Sequence, residues 1–586
     1  MTSKLAQAKA DLTSKRHLSG WVLEKPESAF APENVWGNRD TEPTPREEAT
    51  WSVWTFFGYW ASDLVNAGSW SPDEFLMTSL SSLLCSPLPL LHHTSLRQQL
   101  GLTWWEGVIC TFFGGFLISC LIAANGIIGA RLHVPFAISA RAAYGYWFSR
   151  FAVVSRAVIA MFWLSVNSYQ GGTGIRICLT AIWPSFANFK NHLPASSGTT
   201  SSAMLCFGLF WIFQFPLCFI HPRKLKPLFI LKGVTLPIVA IAMTAWCVHK
   251  AGDQKSAVLR EAPRLSGTAH FFAVATAMNS CMSTWSTLSV NISDMSRYSK
   301  KPSSAALQIA IIPSLWTLCA ILGSISANMT TVIPIYEGKA IFQPFDIIEN
   351  GGWLDSHGGR AAAFFCSAAW AIGNMTTNIT ANSISAANDL ATLFPKYINI
   401  RRGQMIVLVV GVWAFAPWKV LASASAFLSF MASYAIVLVP LAAVLAADYY
   451  FVKKGKYNVP ELYDFSGIYR YKRGFNLAAV AALIVSIPPN MPGMINSLNS
   501  SIEIGNAKYI YCLACPYGAI LAICTHTLVS KLFPDHQSLI AEAVYAADVL
   551  DGLVPGYEHL SKKDIATSSV NSEKKLDEAE TDIIAV

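Results

Sequence analysis

Charge is what this chain has least of. Asp, Glu, Lys and Arg make up 13% of its 586 residues, against about 25% in an ordinary soluble domain. That deficit excludes a soluble globular protein with a fully hydrated surface. The first 50 residues lack any apolar stretch, so no cleavable signal is visible and the first span must act as its own insertion signal. Cysteine is missing from both tails. All 13 cysteines lie between Cys85 and Cys524, within or beside apolar segments, which excludes a disulfide framework. The pair at Cys512–Cys515 has CxxC spacing but no second pair, and reads as membrane filler. HExxH, GxSxG and paired acidic motifs are absent, which argues against an intramembrane enzyme. No metal and no cofactor are expected. The net charge of +8 hides a split: the tail after Phe533 has eleven acids against four lysines, a net of −7, leaving +15 elsewhere. That positive charge falls between apolar runs, so nucleic acid is not the partner.

What remains is apolar. Hydrophobic residues make up 53% of the chain and the mean hydropathy is +0.39. Many runs approach the ~20 residues that an α-helix needs to cross a bilayer, without the alternation of a β-barrel. The expectation is an all-α polytopic membrane protein. Twelve spans are read at 52–70, 105–128, 152–182, 202–220, 226–249, 268–292, 304–326, 360–388, 404–418, 421–447, 475–495 and 508–532. With the N-terminus in the cytosol, every even-numbered loop is basic. They hold Arg131, Arg141 and Arg150; "HPRKLK" (221–226); "RYSKK" (297–301); "PKYINIRR" (395–402); and the stretch 450–473. The positive-inside rule requires this alternation. Both tails, 1–51 and the acidic 534–586, are then cytosolic.

Two spans look broken. The first contains "SDLVNAGSW" (62–70) and the sixth "MNSCMSTWSTLSVN" (278–291). Interruptions five spans apart suggest inverted repeats, 52–249 and 268–451, followed by two extra helices at 475–533. The eighth span contains "GNMTTNITANSISAAND" (373–389), in which Asn374, Asn378 and Asn382 recur at i, i+4, i+8. The third contains "FWLSVNSYQGGTG" (162–174), with Trp163 and Asn167 on one face and Gly171 and Gly172 for close helix contact. Polar stripes of this kind either glue helices together or line a chamber. Trp163 and Trp285 as plates, with Asn167 and Asn382 reading an edge, would suit a flat polar heterocycle. Ionisable residues within spans are functional by default: Asp63, Lys232 and Asp389. Snorkelling is the alternative for Lys232, and a place at the water interface the alternative for Asp389.

These residues sit in motifs that resemble the nucleobase–cation-symport-1 family, in its fungal Fur-type branch. The motifs are "NRDTEPTP" (38–45), "TWSVWTFFGYWASDLVN" (50–66), "GLTWWEG" (101–107), "HVPFAISARAAYG" (133–145), "VNISDMSRYSK" (290–300), "TTNITANSISAANDLATLFPKYINIRRGQ" (376–404) and "AADYY" (446–450). The resemblance implies a LeuT-like five-plus-five inverted repeat with two further helices. It implies proton-driven uptake by alternating access at the plasma membrane. It places substrate on Trp163, Asn167, Trp285 and Asn382, and the equivalent of a bacterial sodium site on Gly373, Thr376 and Thr377. It ties Asn388 and Asp389 to transport and gating. Lys232 would replace sodium, and its amine or Asp63 would carry the coupled proton.

The chain departs from the family in three places. Asn167 stands where uracil and allantoin carriers have Gln. Thr284-Trp285 stands where they have Lys-Tyr. "SLLCSPLPLLHHTSLRQQ" (82–99) replaces a much shorter link, and is either a genuine insertion or a retained intron. The substrate is therefore a nucleobase or relative (uracil, allantoin), or else a nucleoside or vitamin (uridine, thiamine, nicotinamide riboside). A nutrient receptor without flux is a further alternative. Tail lysines Lys4, Lys9, Lys562, Lys563, Lys574 and Lys575 are candidate ubiquitin acceptors, and ordinary solvated charge explains them equally. The sequons at Asn374 and Asn378 fall inside a span; that at Asn328 lies on the outer side and is a candidate glycan acceptor.

Overall fold

The computed structural model describes residues 21–23, 30–31, 36–70, 102–218, 226–260, 265–421, 424–499, 501–557 and 560. The stretch at 82–99 and the six tail lysines lie outside the described residues. Within them the chain is helical, with isolated bridges in place of any strand.

Helical segments coincide with the expected spans. The first is split into α1 (Val53–Leu64) and α2 (Ala67–Trp70). Then come α3 (Trp104–Leu132), the short α4 (Phe136–Tyr144), α5 (Phe148–Ile182), α6 (Ser201–Leu217) and α7 (Lys226–Lys250). The sixth span is split into α8 (Gly267–Thr284) and α9 (Ser286–Asn291), and α10 is Gln308–Thr330. The eighth begins as α11 (His357–Thr377), widens to a π-helix over Asn378–Ile384, and ends as α12 (Ser385–Leu393). The rest are α13 (Ile400–Ile406), α14 (Ala424–Ala447), α15 (Leu477–Ser486), α16 (Met491–Leu498) and α17 (Ala514–Leu532). Among the described residues, seven helical stretches are long and apolar enough to cross a membrane. The first, sixth, eighth, ninth and twelfth expected spans are not among them.

The helices sort into packed groups. The halves of the broken sixth span and α10 pack on α3; α6 and α11 pack on α5; α14 and α15 pack on α17. Gly171 and Gly172 explain how close α5 lies to α6: a Cβ at Gly171 would fall 2.1 Å from the Phe210 ring, and one at Gly172 would fall 2.8 Å from the Phe207 Cα.

The described basic loops gather at one end. The Arg141 guanidinium donates to Leu462 O at 2.8 Å, Arg297 to Asp40 O at 3.1 Å, and Arg402 to Tyr397 O at 2.8 Å. Residues 36–51, part of the expected cytosolic tail, are docked across this end. Asn38 donates to Pro395 O and Ile398 O, Tyr463 donates to Thr41 O, and Trp36 stacks on Phe465 with centroids 5.0 Å apart. The acidic tail joins them: Arg46 meets Asp548 and Asp551, while Ala546 and Val549 are buried. Aromatic side chains interleaved with the charges supply the docking surface that a charge count overlooks. Asn328 is likewise not an exposed acceptor. Its amide is buried and donates back to Ser324 O at 2.6 Å, so a glycan has no access.

Candidate functional site

The two helix breaks have different local causes. At the first, Val65 leaves helical geometry (φ −98°, ψ 84°), and the Asn66 side chain donates to Asp63 O, a carbonyl that the lost turn has released. The sixth span has neither Gly nor Pro at its break. Instead a run of hydroxyls bonds back along the helix: Ser283 to Asn279 O, Thr284 to Ser280 O, Ser286 to Ser283 O and Ser289 to Ser286 O. Such bonds compete with the backbone ladder and bend helices. The chain leaves the helix at Trp285 (φ −105°, ψ 8°).

Trp285 is buried between two other indoles. Its ring meets Trp60 edge-on at 5.7 Å and Trp316 edge-on at 5.8 Å. Trp60 donates to Gln308 Oε1 at 2.8 Å, whereas the indole nitrogens of Trp285 and Trp316 are buried with no hydrogen-bond partner among the described residues. Trp163 is half-buried against this same apolar cluster and packs edge-on to Phe162 at 6.0 Å. Asn167, one turn further along α5, is half-buried.

The amide stripe of the eighth span divides its labour. Asn378 is glue: its Nδ2 donates to Gln214 Oε1 at 2.9 Å on α6 and to Ser168 Oγ at 3.1 Å on α5. Asn382 is buried and donates to Asn378 Oδ1 at 3.0 Å, so its position is fixed by a residue that is itself fixed. Both lie in the π-helix, a widened turn that is common at functional sites. Trp285 and Asn382 are thus buried, and Trp163 and Asn167 half-buried. Their helices adjoin: α5 packs on α9 of the sixth span and on the π-helix of the eighth.

A second group lies beside the first break. Lys232 is buried on α7 and its Nζ donates to Thr377 Oγ1 at 2.7 Å, so it does not snorkel. Asp63 is buried and accepts from Thr380 at 3.0 Å. Asp63 and Lys232 are within electrostatic range of each other, and the Tyr59 hydroxyl faces Asp63. Thr376 turns back to bond Gly373 O at 2.8 Å, and Leu236 closes on Gly373, leaving 3.0 Å to a Cβ placed there. Among the described residues no group of His, Cys, Asp or Glu could hold a metal.

Asp389 is not at the water interface. It is fully enclosed and ion-paired with Arg156 of α5. Asp294, at the end of the sixth span, is the next charge, and accepts from the Phe136 amide at 2.9 Å at the start of α4. Asn388 is buried, and its Oδ1 lacks a hydrogen-bond partner among the described residues. Sequence reasoning missed Arg156, Asp294, Trp60, Trp316, Thr380 and Tyr434. An Arg inside the apolar run 152–182 was the one legible signal among them, since charge at that depth demands a partner.

Comparison with known proteins gives this arrangement its setting. Residues 43–515 match the family model described as permease for cytosine/purines, uracil, thiamine, allantoin. An uncharacterized permease of Schizosaccharomyces pombe is 32% identical over 525 residues, covering 89% of this chain and 88% of the relative. The uracil permease of Saccharomyces cerevisiae is 28% identical, covering 85% and 76%. Among solved structures, the nucleobase-cation-symport-1 transporter Mhp1, closed with bromovinylhydantoin bound, superposes with a TM-score of 0.63 at 18% identity, covering 89% of this chain and 99% of that one. That likeness shows the fold, a LeuT-like helical bundle. The chain belongs to the cytosine/purine, uracil, thiamine and allantoin permease family, and is a membrane transporter rather than an enzyme.

Proposed function

We propose that the protein takes up a nucleobase or related heterocycle, uracil or allantoin, across the plasma membrane by proton-coupled alternating access. The two repeats are 52–249 and 268–451, with 475–533 as accessory helices and both tails in the cytosol. Substrate stacks against Trp163 and Trp285 and bonds to Asn167 and Asn382. Closing the outer gate and rocking one helix group against the other then opens the inside. The observation that carries the coupling is the Lys232 ammonium on Thr377, with Asp63 nearby. On this reading the Lys232 side chain stands in for a sodium ion, and the coupled proton is carried by Asp63 or Lys232.

Uptake by the wild type in a transport-null yeast is expected to rise as the medium is acidified and to ignore sodium. Lys232→Met should abolish that proton dependence; an unchanged pH profile in this variant rules the role out. Competition of labelled uracil, allantoin, uridine and thiamine decides the substrate. The three clustered indoles favour a second reading, a cationic or larger ring such as thiamine, because indole faces attract cations.

A further inference from the structure

The turn from Tyr471 to Asn476 is held in a costly conformation. Tyr471 and Arg473 have positive φ, 47° and 57°, which L side chains adopt only at an expense, and Gly474 follows at 89°. The turn is clamped against the junction of α4 and α5. The Tyr471 hydroxyl donates to Ala142 O at 2.5 Å, the Trp147 amide to Gly474 O at 2.9 Å, and the Asn476 side chain to Ala143 O at 2.7 Å. A Cβ at Gly474 would fall 2.2 Å from the Trp147 ring. Topology alone explains why such a loop is basic. It does not explain a strained, clamped turn that keeps both Lys472 and Arg473 exposed.

Arg150, one turn into α5, supplies a third cation beside them. Its guanidinium carbon lies 4.4 Å from the centroid of the Trp147 ring and 5.4 Å from that of Trp36. Among the described residues no acid pairs with Arg150, Lys472 or Arg473. The surface next to these cations is apolar: Trp147, Phe475 and Leu477 are all exposed. A free anion would use the cations alone, whereas an amphiphile uses both parts. We propose that this turn and the start of α5 bind an anionic glycerophospholipid, with its headgroup on Lys472, Arg473 and Arg150 and its acyl chain along Phe475 and Leu477. The proposed topology puts this site at the cytosolic leaflet.

The test titrates the detergent-purified full chain with radiolabelled phosphatidylserine. Binding should saturate, and phosphatidylcholine should not compete. Lys472→Gln with Arg473→Gln should weaken binding about thirtyfold, the factor for two cations at about 1 kcal/mol each. Lys472→Gln alone should weaken it about fivefold, which keeps the test decisive where the double variant fails to fold. Lys300→Gln with Lys301→Gln, exposed cations of another loop, should leave it unchanged. Phe475→Ala should weaken it as well. Equal losses in the two double variants, or competition by phosphatidylcholine, overturn the proposal. Displacement by inorganic phosphate together with full binding by Phe475→Ala makes the ligand a free anion, and overturns it too.

Discussion

Breaking the Arg156–Asp389 pair should destabilise the protein more than any surface substitution, and unequally from its two sides. Both side chains have 0% exposure, so solvent does not screen the pair. Removing one partner of a buried pair strands a charge, at about 3–5 kcal/mol. The surroundings decide where in that range each variant falls. After Arg156→Met, Asp389 and Asp294 remain as two acids with no shared cation between them. After Asp389→Asn, Arg156 still has Asp294. The Arg156 change should therefore lie at the upper end and the Asp389 change at the lower. The pair is also imperfectly satisfied: Arg156 Nε and Nη2 and Asp389 Oδ1 have no hydrogen-bond partner among the described residues. Replacing both, as Arg156→Met with Asp389→Leu, should be neutral or stabilising by about 1–4 kcal/mol.

The assay is the apparent unfolding midpoint of a detergent-solubilised fluorescent fusion. Unfolding of such proteins is irreversible, so midpoints are compared at one heating rate. The expected order is double variant at or above wild type, then Asp389→Asn, then Arg156→Met. A double variant no better than its worse parent would refute the charge argument. So would Asp389→Asn falling below Arg156→Met.

Other predictions follow from packing and titration. Gly172→Ala pushes a methyl onto the Phe207 backbone and should lower the same midpoint, a loss of about 1–3 kcal/mol, while Gly208→Ala, with nothing within 4 Å, should not. Asn378→Ala should destabilise by about 1–3 kcal/mol because it leaves Gln214 without its partner, whereas Asn382→Ala should raise KM with a smaller loss of stability. Glu42, in the docked N-terminal segment, has its pKa pushed from 4.5 up to about 7, mainly by burial, opposed by the Phe30 backbone and Arg39. The docked state therefore binds a proton. Docking is strongest below about 4.5 and weakens as pH rises through about 7. Hydrogen exchange over 36–48 should be faster at pH 8 than at pH 6 after correction for intrinsic rates, and Glu42→Gln should remove the difference.

The sequence alone determined the membrane fold and where its spans are interrupted. Apolar runs long enough for a bilayer and basic loops at every second turn leave few topologies, because lipid and the membrane field act on local composition. The breaks at 62–70 and 278–291 were legible for the same reason: polar residues at that depth contradict a plain span. What a polar residue bonds to is another matter. Asn378 and Asn382 look identical in the stripe, yet one ties three helices together and the other rests upon it. Lys232 is read equally well as snorkelling or as a fixed cation until Thr377 is found 2.7 Å away. Arg156 with Asp389, and Tyr434 with Ser283, join residues more than a hundred positions apart. Composition and periodicity carry no information about such pairs; only the packing of whole helices brings them within the few ångströms over which hydrogen bonds and buried charges act.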